Sequence, residues 1–327
     1  MKALPVGKLP IEVLRRTALR MTGARSERLR LAPAEGVDFA AVDVGGGMHM
    51  IVSSDPITGV SEEIGWYAVN VSANDVATSG ARPELMESVI LLPEGSDELS
   101  VRRITAQIDR AARKLGIAIA GGHTEVTHGL HSPIVVATVF AFAMRYVTSR
   151  DARPGDTMMM TKTAGLEGTA VLASRARGLD EGLRRRGAAL RSRLSVVDEA
   201  VAAFESGAVH AMHDCTEGGV LGAAFEMSLA SGLGFELEEA SVPVDMTTEE
   251  VCSRLGADPL RLIGSGSLLL SVERGKEGVV KERLRGVSSV KEIGRFTERG
   301  RFILKSDGRR EAVRSAPLDE LWRLISR

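Results

Sequence analysis

Four aspartates stand beside glycine turns or on an apolar stripe, and carboxylates so placed suit a hard divalent cation held together with phosphate oxygens. Asp75 lies in Val69-Asn70-Val71-Ser72-Ala73-Asn74-Asp75, and at about 100° per residue it shares a helix face with Ile64, Ala68 and Val71. That face is meant for a core. An ionised carboxylate buried there without a partner costs several kcal/mol, so Asp75 is hydrogen-bonded, paired or metal-bound, unless it caps its helix. Asp38, in Gly36-Val37-Asp38-Phe39, and Asp55, in Ser53-Ser54-Asp55-Pro56, border two strands joined by Gly45-Gly46-Gly47, and Pro56 is expected to stop the second strand. Singly each acid reads equally well as a turn former; three from separate elements make a magnesium-nucleotide site.

Two further segments carry reactive side chains. Ile117-Ala118-Ile119-Ala120 runs into Gly121-Gly122-His123-Thr124-Glu125, with His128 and His131 close behind, and paired glycines at such a strand-to-loop junction admit a ligand near the backbone. The spacing is not that of a HExxH helix, so zinc hydrolysis of that kind is not indicated, and the histidines read equally as exposed surface. His213-Asp214-Cys215-Thr216-Glu217-Gly218-Gly219 passes from a strand into a helix, whose free N–H groups attract phosphate; Asp214 stands opposite as a metal ligand, with Thr216, Gly218 and Gly219 leaving room. Cys215 reads as a small buried thiol. Lys162, in a second strand-to-helix turn, is placed to meet a phosphate, although neither G-x-x-x-x-G-K-[ST] nor G-x-G-x-x-G occurs.

The elements that must hold these groups follow from periodicity and breakers. A helix over 11–21, a hairpin over 37–53, helices over 61–79 and 96–115, strands over 85–92 and 117–120 and an apolar strand within 133–147 make a β-rich module. Arg150-Asp151-Ala152-Arg153-Pro154-Gly155-Asp156 breaks the pattern, which divides the chain into an N-terminal helical appendage (1–36), one domain (37–150) and a second (151–327). The second alternates strands (157–161, a short one ending at Met212, 262–272, 287–296) with helices (166–177, 196–206, 219–230, 276–284). The class is α/β or α+β. Arg184-Arg185-Arg186 reads as a solvated helix or loop.

Composition narrows the partners. Lys plus Arg number 42 against 43 Asp plus Glu, a net charge of −1, so no general field draws the chain to nucleic acid or an anionic membrane, and any anion must be held locally. Aromatic residues make up only 4%, too few for stacking platforms. Two cysteines leave no zinc-finger pattern and suit a reducing cytoplasm, and charges and prolines interrupt the N-terminal apolar residues, so neither a signal peptide nor a membrane span is expected.

In order, GVDFAAV, SSDPITG, NDVATSGARP, AGGHTEVT, RPGD and HDCTEGGV resemble the aminoimidazole ribonucleotide (AIR) synthetase superfamily over nearly the whole chain. It includes thiamine-monophosphate kinase, selenophosphate synthetase and the hydrogenase maturation protein HypE. The resemblance implies a two-domain fold, an N-terminal sheet that forms a barrel with a second copy in a homodimer, and ATP with Mg²⁺, or Mn²⁺ or another divalent ion, between the domains. It implies Asp38, Asp55 and Asp75 as ligands of metal and triphosphate and sets Asp214 near the second substrate or phosphates; with the residue reading above, the candidate set is Asp38, Asp55, Asp75 and Glu125 for metal, Asn74, Gly121, Gly122, Lys162, Thr216, Gly218 and Gly219 for the cofactor, and Asp55, His123 and Asp214 for catalysis. The expected activity is ATP-dependent phosphoryl transfer to a small molecule; the alternatives are a metal-dependent nucleotide phosphohydrolase and a HypE-like nucleotide-binding assembly protein without turnover. Departures from the family patterns are His123 where kinase-like and HypE-like members have Asp, GGGMHMI in place of the purine enzyme's glycine-rich motif, no Cys in residues 1–36, and Leu321-Trp322-Arg323-Leu324-Ile325-Ser326-Arg327 where HypE carries a terminal cysteine.

Overall fold

The computed structural model describes residues 3–58 and 62–325; Gly59 of the SSDPITG segment and Ser61, the expected start of a helix, lie outside them. The N-terminal half contains α1 (Ile11–Arg16), β1 (Leu29–Leu31), β2 (Ala40–Gly45), β3 (Met48–Ile57), α2 (Ile64–Ala77), β4 (Leu85–Pro93), α3 (Glu98–Leu115), β5 (Ala118–Thr127) and β6 (Ile134–Ala143). Its six strands lie in the order β1-β2-β3-β6-β4-β5. Alternation sends Ile51, Met86, Ile90, Val135 and Val139 to the core under α2 and α3. Val136, Phe140 and Phe142 alternate with them on the opposite face, which is half-buried to exposed. Every residue of α2 except Val71 is buried, because the second half of the chain covers the side that the sheet leaves free.

After β6 come β7 (Thr157–Thr161), α4 (Leu166–Arg175), α5 (Glu181–Ala189), α6 (Val197–Glu205), β8 (Val209–Asp214), α7 (Gly219–Ser231), β9 (Gly234–Glu238), α8 (Met246–Leu255), β10 (Leu268–Val272), α9 (Glu277–Arg283), β11 (Val290–Thr297), β12 (Arg301–Leu304), β13 (Arg310–Ala312) and α10 (Glu320–Ile325). The seven strands are ordered β13-β12-β9-β11-β7-β10-β8, antiparallel apart from β12 beside β9. Both faces are covered, since Met158 and Met160 enter one apolar cluster and Met159 the other. The mixed α/β class matches expectation.

Several local expectations do not hold. The helix over 11–21 ends at Arg16, followed by one 3₁₀ turn, and buries nothing. Pro56 does not stop β3, which pairs Asp55 with Ala137 and Ile57 with Val135 on β6. On its other side β2 pairs no further than Val52, so Pro56 occupies a locally free edge where no N–H is needed. Gly121 to Thr127 form no loop but complete β5, an edge strand parallel to β4. A Cβ on Gly122, whose φ is +150°, would lie 2.0 Å from the Ser88 carbonyl oxygen, so this glycine serves strand packing rather than ligand access. The arginine run 184–186 lies on α5, and β10 is confined to the end of the 262–272 stretch. No helix among the described residues is long and apolar enough to cross a membrane.

Candidate functional site

Four aspartates meet where the two halves join. Ser53, facing inward on β3, brings its hydroxyl 2.8 Å from Asp75 Oδ2 on α2, 3.3 Å from Asp55 Oδ2 and 2.8 Å from the Asp38 carbonyl oxygen. One hydroxyl carries one proton, so these acids have far fewer donors than lone pairs. From the second half, His213 at the end of β8 places Nδ1 3.0 Å from Asp38 Oδ2 and 3.8 Å from Asp214 Oδ1. Asp214 is 1% exposed, and its Oδ2 has no hydrogen-bond partner.

The electrostatics follow from burial among like charges. Asp75 is pushed well above the usual carboxylate range, first by desolvation and then by Asp55, Asp214 and Asp38. Asp214 rises to about 6 for the same reasons, with His213 partly offsetting them. Burial opposes a charge on His213, yet Asp38, Asp214 and Glu226 raise it well above the ordinary histidine value. Glu226, the one charged residue of α7, lies 3.0 Å from His213 Nε2 and accepts from Lys8 Nζ at 2.6 Å; against burial, these two partners bring it down to about 2. An excess of buried carboxylate oxygens with an orphaned Asp214 Oδ2 fits a divalent cation as counter-charge.

The other expected residues stand elsewhere. His123 and Glu125 are paired at 3.0 Å but exposed on β5. Asp55, Ala137, Ser88 and Gly122 form one row across β3, β6, β4 and β5, so three strand spacings of about 4.8 Å, roughly 14 Å, separate Asp55 from Gly122. His123 is next in line and faces the opposite side, so neither it nor Glu125 joins the aspartates within one chain. A Cβ on Gly121 would meet Glu87 at ordinary contact distance, and His128 pairs with Glu94 at 2.8 Å on the surface. Asn74 is engaged at both ends of its amide, donating to Leu194 O and accepting from Val196 N, each at 2.8 Å, and so fixes the halves rather than a cofactor. Lys162 gives its ammonium to Glu199 at 2.6 Å, Gly266 O at 2.9 Å and Ser195 O, which leaves it no donor for phosphate.

The expected phosphate cradle at α7 is closed from within. Gly218 N–H donates to Asp319 Oδ2 at 2.6 Å, Gly219 N–H to Thr216 O at 2.9 Å and Leu221 N–H to Leu260 O at 3.1 Å. A Cβ on Gly219 would lie 2.7 Å from the Leu260 and Leu262 carbonyl oxygens, so backbone fills the room left by that glycine. Trp322 Nε1 and Lys8 N–H both donate to Glu217, drawing the two terminal segments over this turn. Cys215 is a free, buried thiol held well above the ordinary thiol value by burial and Asp214.

Ser53, His213, Glu226 and Glu167 are the participants that sequence reasoning missed. A lone glutamate in the otherwise apolar α7 was a usable signal for Glu226. Glu167, at the start of α4, is 6% exposed and pushed up to about 7 by burial, with Asp319, Asp214 and Glu217 adding to the rise and Ser265 opposing it.

Known proteins share this fold. Residues 36–143 match the N-terminal domain of AIR synthase related protein, and residues 153–307 match its C-terminal domain. A carbamoyl dehydratase HypE from Cupriavidus necator is 29% identical over 284 residues, covering 83% of this chain and 80% of the relative. A HypE–HypF complex superposes with a TM-score of 0.78 at 20% identity over 93% of this chain and 99% of the other. HypE in complex with ATP gives 0.73 at 23% identity over 98% of both chains.

Proposed function

The chain belongs to the AIR synthase related protein family, and from that premise we propose that it is an ATP- and Mg²⁺-dependent enzyme transferring a phosphoryl group to a small molecule. The observation that carries this reading is the convergence of Asp38, Asp55, Asp75 and Asp214 across the seam, with a single serine hydroxyl among the first three. Those four aspartates would hold the magnesium, which when bound supplies neutralisation of phosphate charge. The protein's own part is positional. Ser53 orients Asp55 and Asp75 from the strand, His213 and Asp214 close the opposite side, and Asn74 fixes the approach of the two halves. The ATP complex of the HypE neighbour supports the choice of nucleotide. The apolar outer face of the first sheet, with Phe142 38% exposed, supports pairing of two copies. A second reading, a HypE-like nucleotide-binding assembly role, is favoured by the HypE relative and by the HypE–HypF complex.

Calorimetry with ATP in the presence and absence of Mg²⁺ tests the proposal. Asp55→Ala and Asp75→Ala should each abolish Mg²⁺-dependent binding, and binding at wild-type affinity would sink it. Phosphate release without an acceptor would identify a phosphohydrolase instead, and tight binding without any product the assembly role.

A further inference from the structure

Resting on the reading of the four aspartates as a cation site, we propose that its end at the second half, where His213 joins Asp38 and Asp214, takes a transition-metal ion of the Mn²⁺, Fe²⁺, Co²⁺ or Zn²⁺ class in a mixed nitrogen-oxygen position oriented by Glu226, leaving Asp55 and Asp75 to the magnesium. One donor atom from each of the three side chains lies within 4.8 Å of the others. The 3.0 Å between His213 Nδ1 and Asp38 Oδ2 is the spacing of neighbouring ligands around one ion, since two bonds of about 2.1 Å at right angles put their ends about 3.0 Å apart.

Two independent details point to a ligand rather than a self-contained ion pair. His213 Nδ1 lacks hydrogen-bond geometry to Asp38 in spite of that short distance, on a histidine that is 1% exposed. Asp214 Oδ2, equally buried, is also without a partner. Asp214 Oδ1 lies 3.8 Å from Nδ1, so the carboxylate with the orphaned oxygen stands beside the orphaned ring nitrogen.

The remaining ring nitrogen shows how the site is built. Nε2 lies 3.0 Å from Glu226 Oε2, so Nε2–H donates to that carboxylate, and an arriving metal ion displaces the proton on Nδ1, which becomes the coordinating atom. Lys8 Nζ, 2.6 Å from the other Glu226 oxygen, keeps that carboxylate charged and fixed. Imidazole beside two carboxylates favours first-row transition ions over Mg²⁺, which prefers oxygen ligands alone. The histidines near residue 123 lie apart from any such grouping among the described residues.

The probe is Co²⁺ added to the untagged full chain, without nucleotide. One Co²⁺ per chain should bind, with a single hyperfine-shifted, slowly exchanging imidazole N–H in the proton NMR spectrum from His213 Nε2–H. His213→Ala should remove that resonance, and Glu226→Gln should weaken Co²⁺ binding about 10–100-fold and speed the exchange. The wild-type spectrum decides even where a variant fails to fold: no shifted imidazole resonance, or Mg²⁺ displacing Co²⁺ at equal concentration, overturns the site. Mg²⁺-dependent ATP binding in a chain lacking the Co²⁺ signature would overturn this inference alone, whereas the signature without ATP binding would overturn the phosphoryl-transfer reading alone.

Discussion

Glu167→Gln isolates one buried carboxyl. In the folded protein Glu167 titrates near 7 against an ordinary value of 4.5, chiefly because burial penalises its charged form. The native state therefore holds this proton more tightly than the unfolded chain does. The stability that results is intact below about pH 4.5 and is lost as pH rises to about 7. At 1.36 kcal/mol for each pH unit, the interval between 4.5 and about 7 corresponds to about 3 kcal/mol. Glutamine keeps the shape and cannot ionise, so the variant should match or fall slightly below wild type at pH 4.5 and exceed it by about 3 kcal/mol at pH 8. For a unit the size of the C-terminal half, that is a rise in Tm of roughly 6–12 °C. Asp214 and Asp319, both near 6, titrate in either protein, so the difference between the two curves is the quantity to follow. Urea unfolding at pH 4.5, 6, 7 and 8 in cation-free buffer measures it. A variant-minus-wild-type difference that stays constant across the series would refute the account, because a packing change alone does not titrate.

Two further outcomes concern residues whose role the structure reassigns. Asn74→Ala strands Leu194 O and Val196 N without their partner, so it should destabilise by about 1–3 kcal/mol and speed proteolysis around residues 190–196 while leaving the aspartates in place. Gly122→Ala drives a methyl group into the Ser88 carbonyl at a φ that side chains avoid, so amide exchange along β4 and β5 should accelerate well before the C-terminal half loosens.

Motif order and hydrophobic pattern made the mixed α/β class and most long elements legible, because α3 and α6 carry an amphipathic period while α7 is one nearly unbroken apolar run after a glycine turn. Asp38, Asp55, Asp75 and Asp214 were also legible as a set, since a carboxylate among apolar residues or glycine turns is locally anomalous. Contacts between distant segments were not. Nothing near Gly218 announces that Asp319, about a hundred residues on, caps its N–H, and nothing near Lys162 announces Glu199. The double glycine at 121–122 misled for a related reason: close approach was required, but by the backbone of β4. Short pieces such as β1, β12 and β13 escaped because three or four residues hold no measurable period.

Asp38, Asp55 and Asp75 belong to one half of the chain, and His213, Asp214 and Glu226 to the other. The seam is thus an electrostatic latch whose sign depends on what sits in it. Stripped of metal, the facing carboxylates are offset only by the His213 charge beside Asp38 and work against the apolar burial of α2; with a metal ion between them, the same oxygens draw the halves together. Chelator and salt then act on the joint itself, and the ion that serves the chemistry also sets how firmly the two halves stay closed.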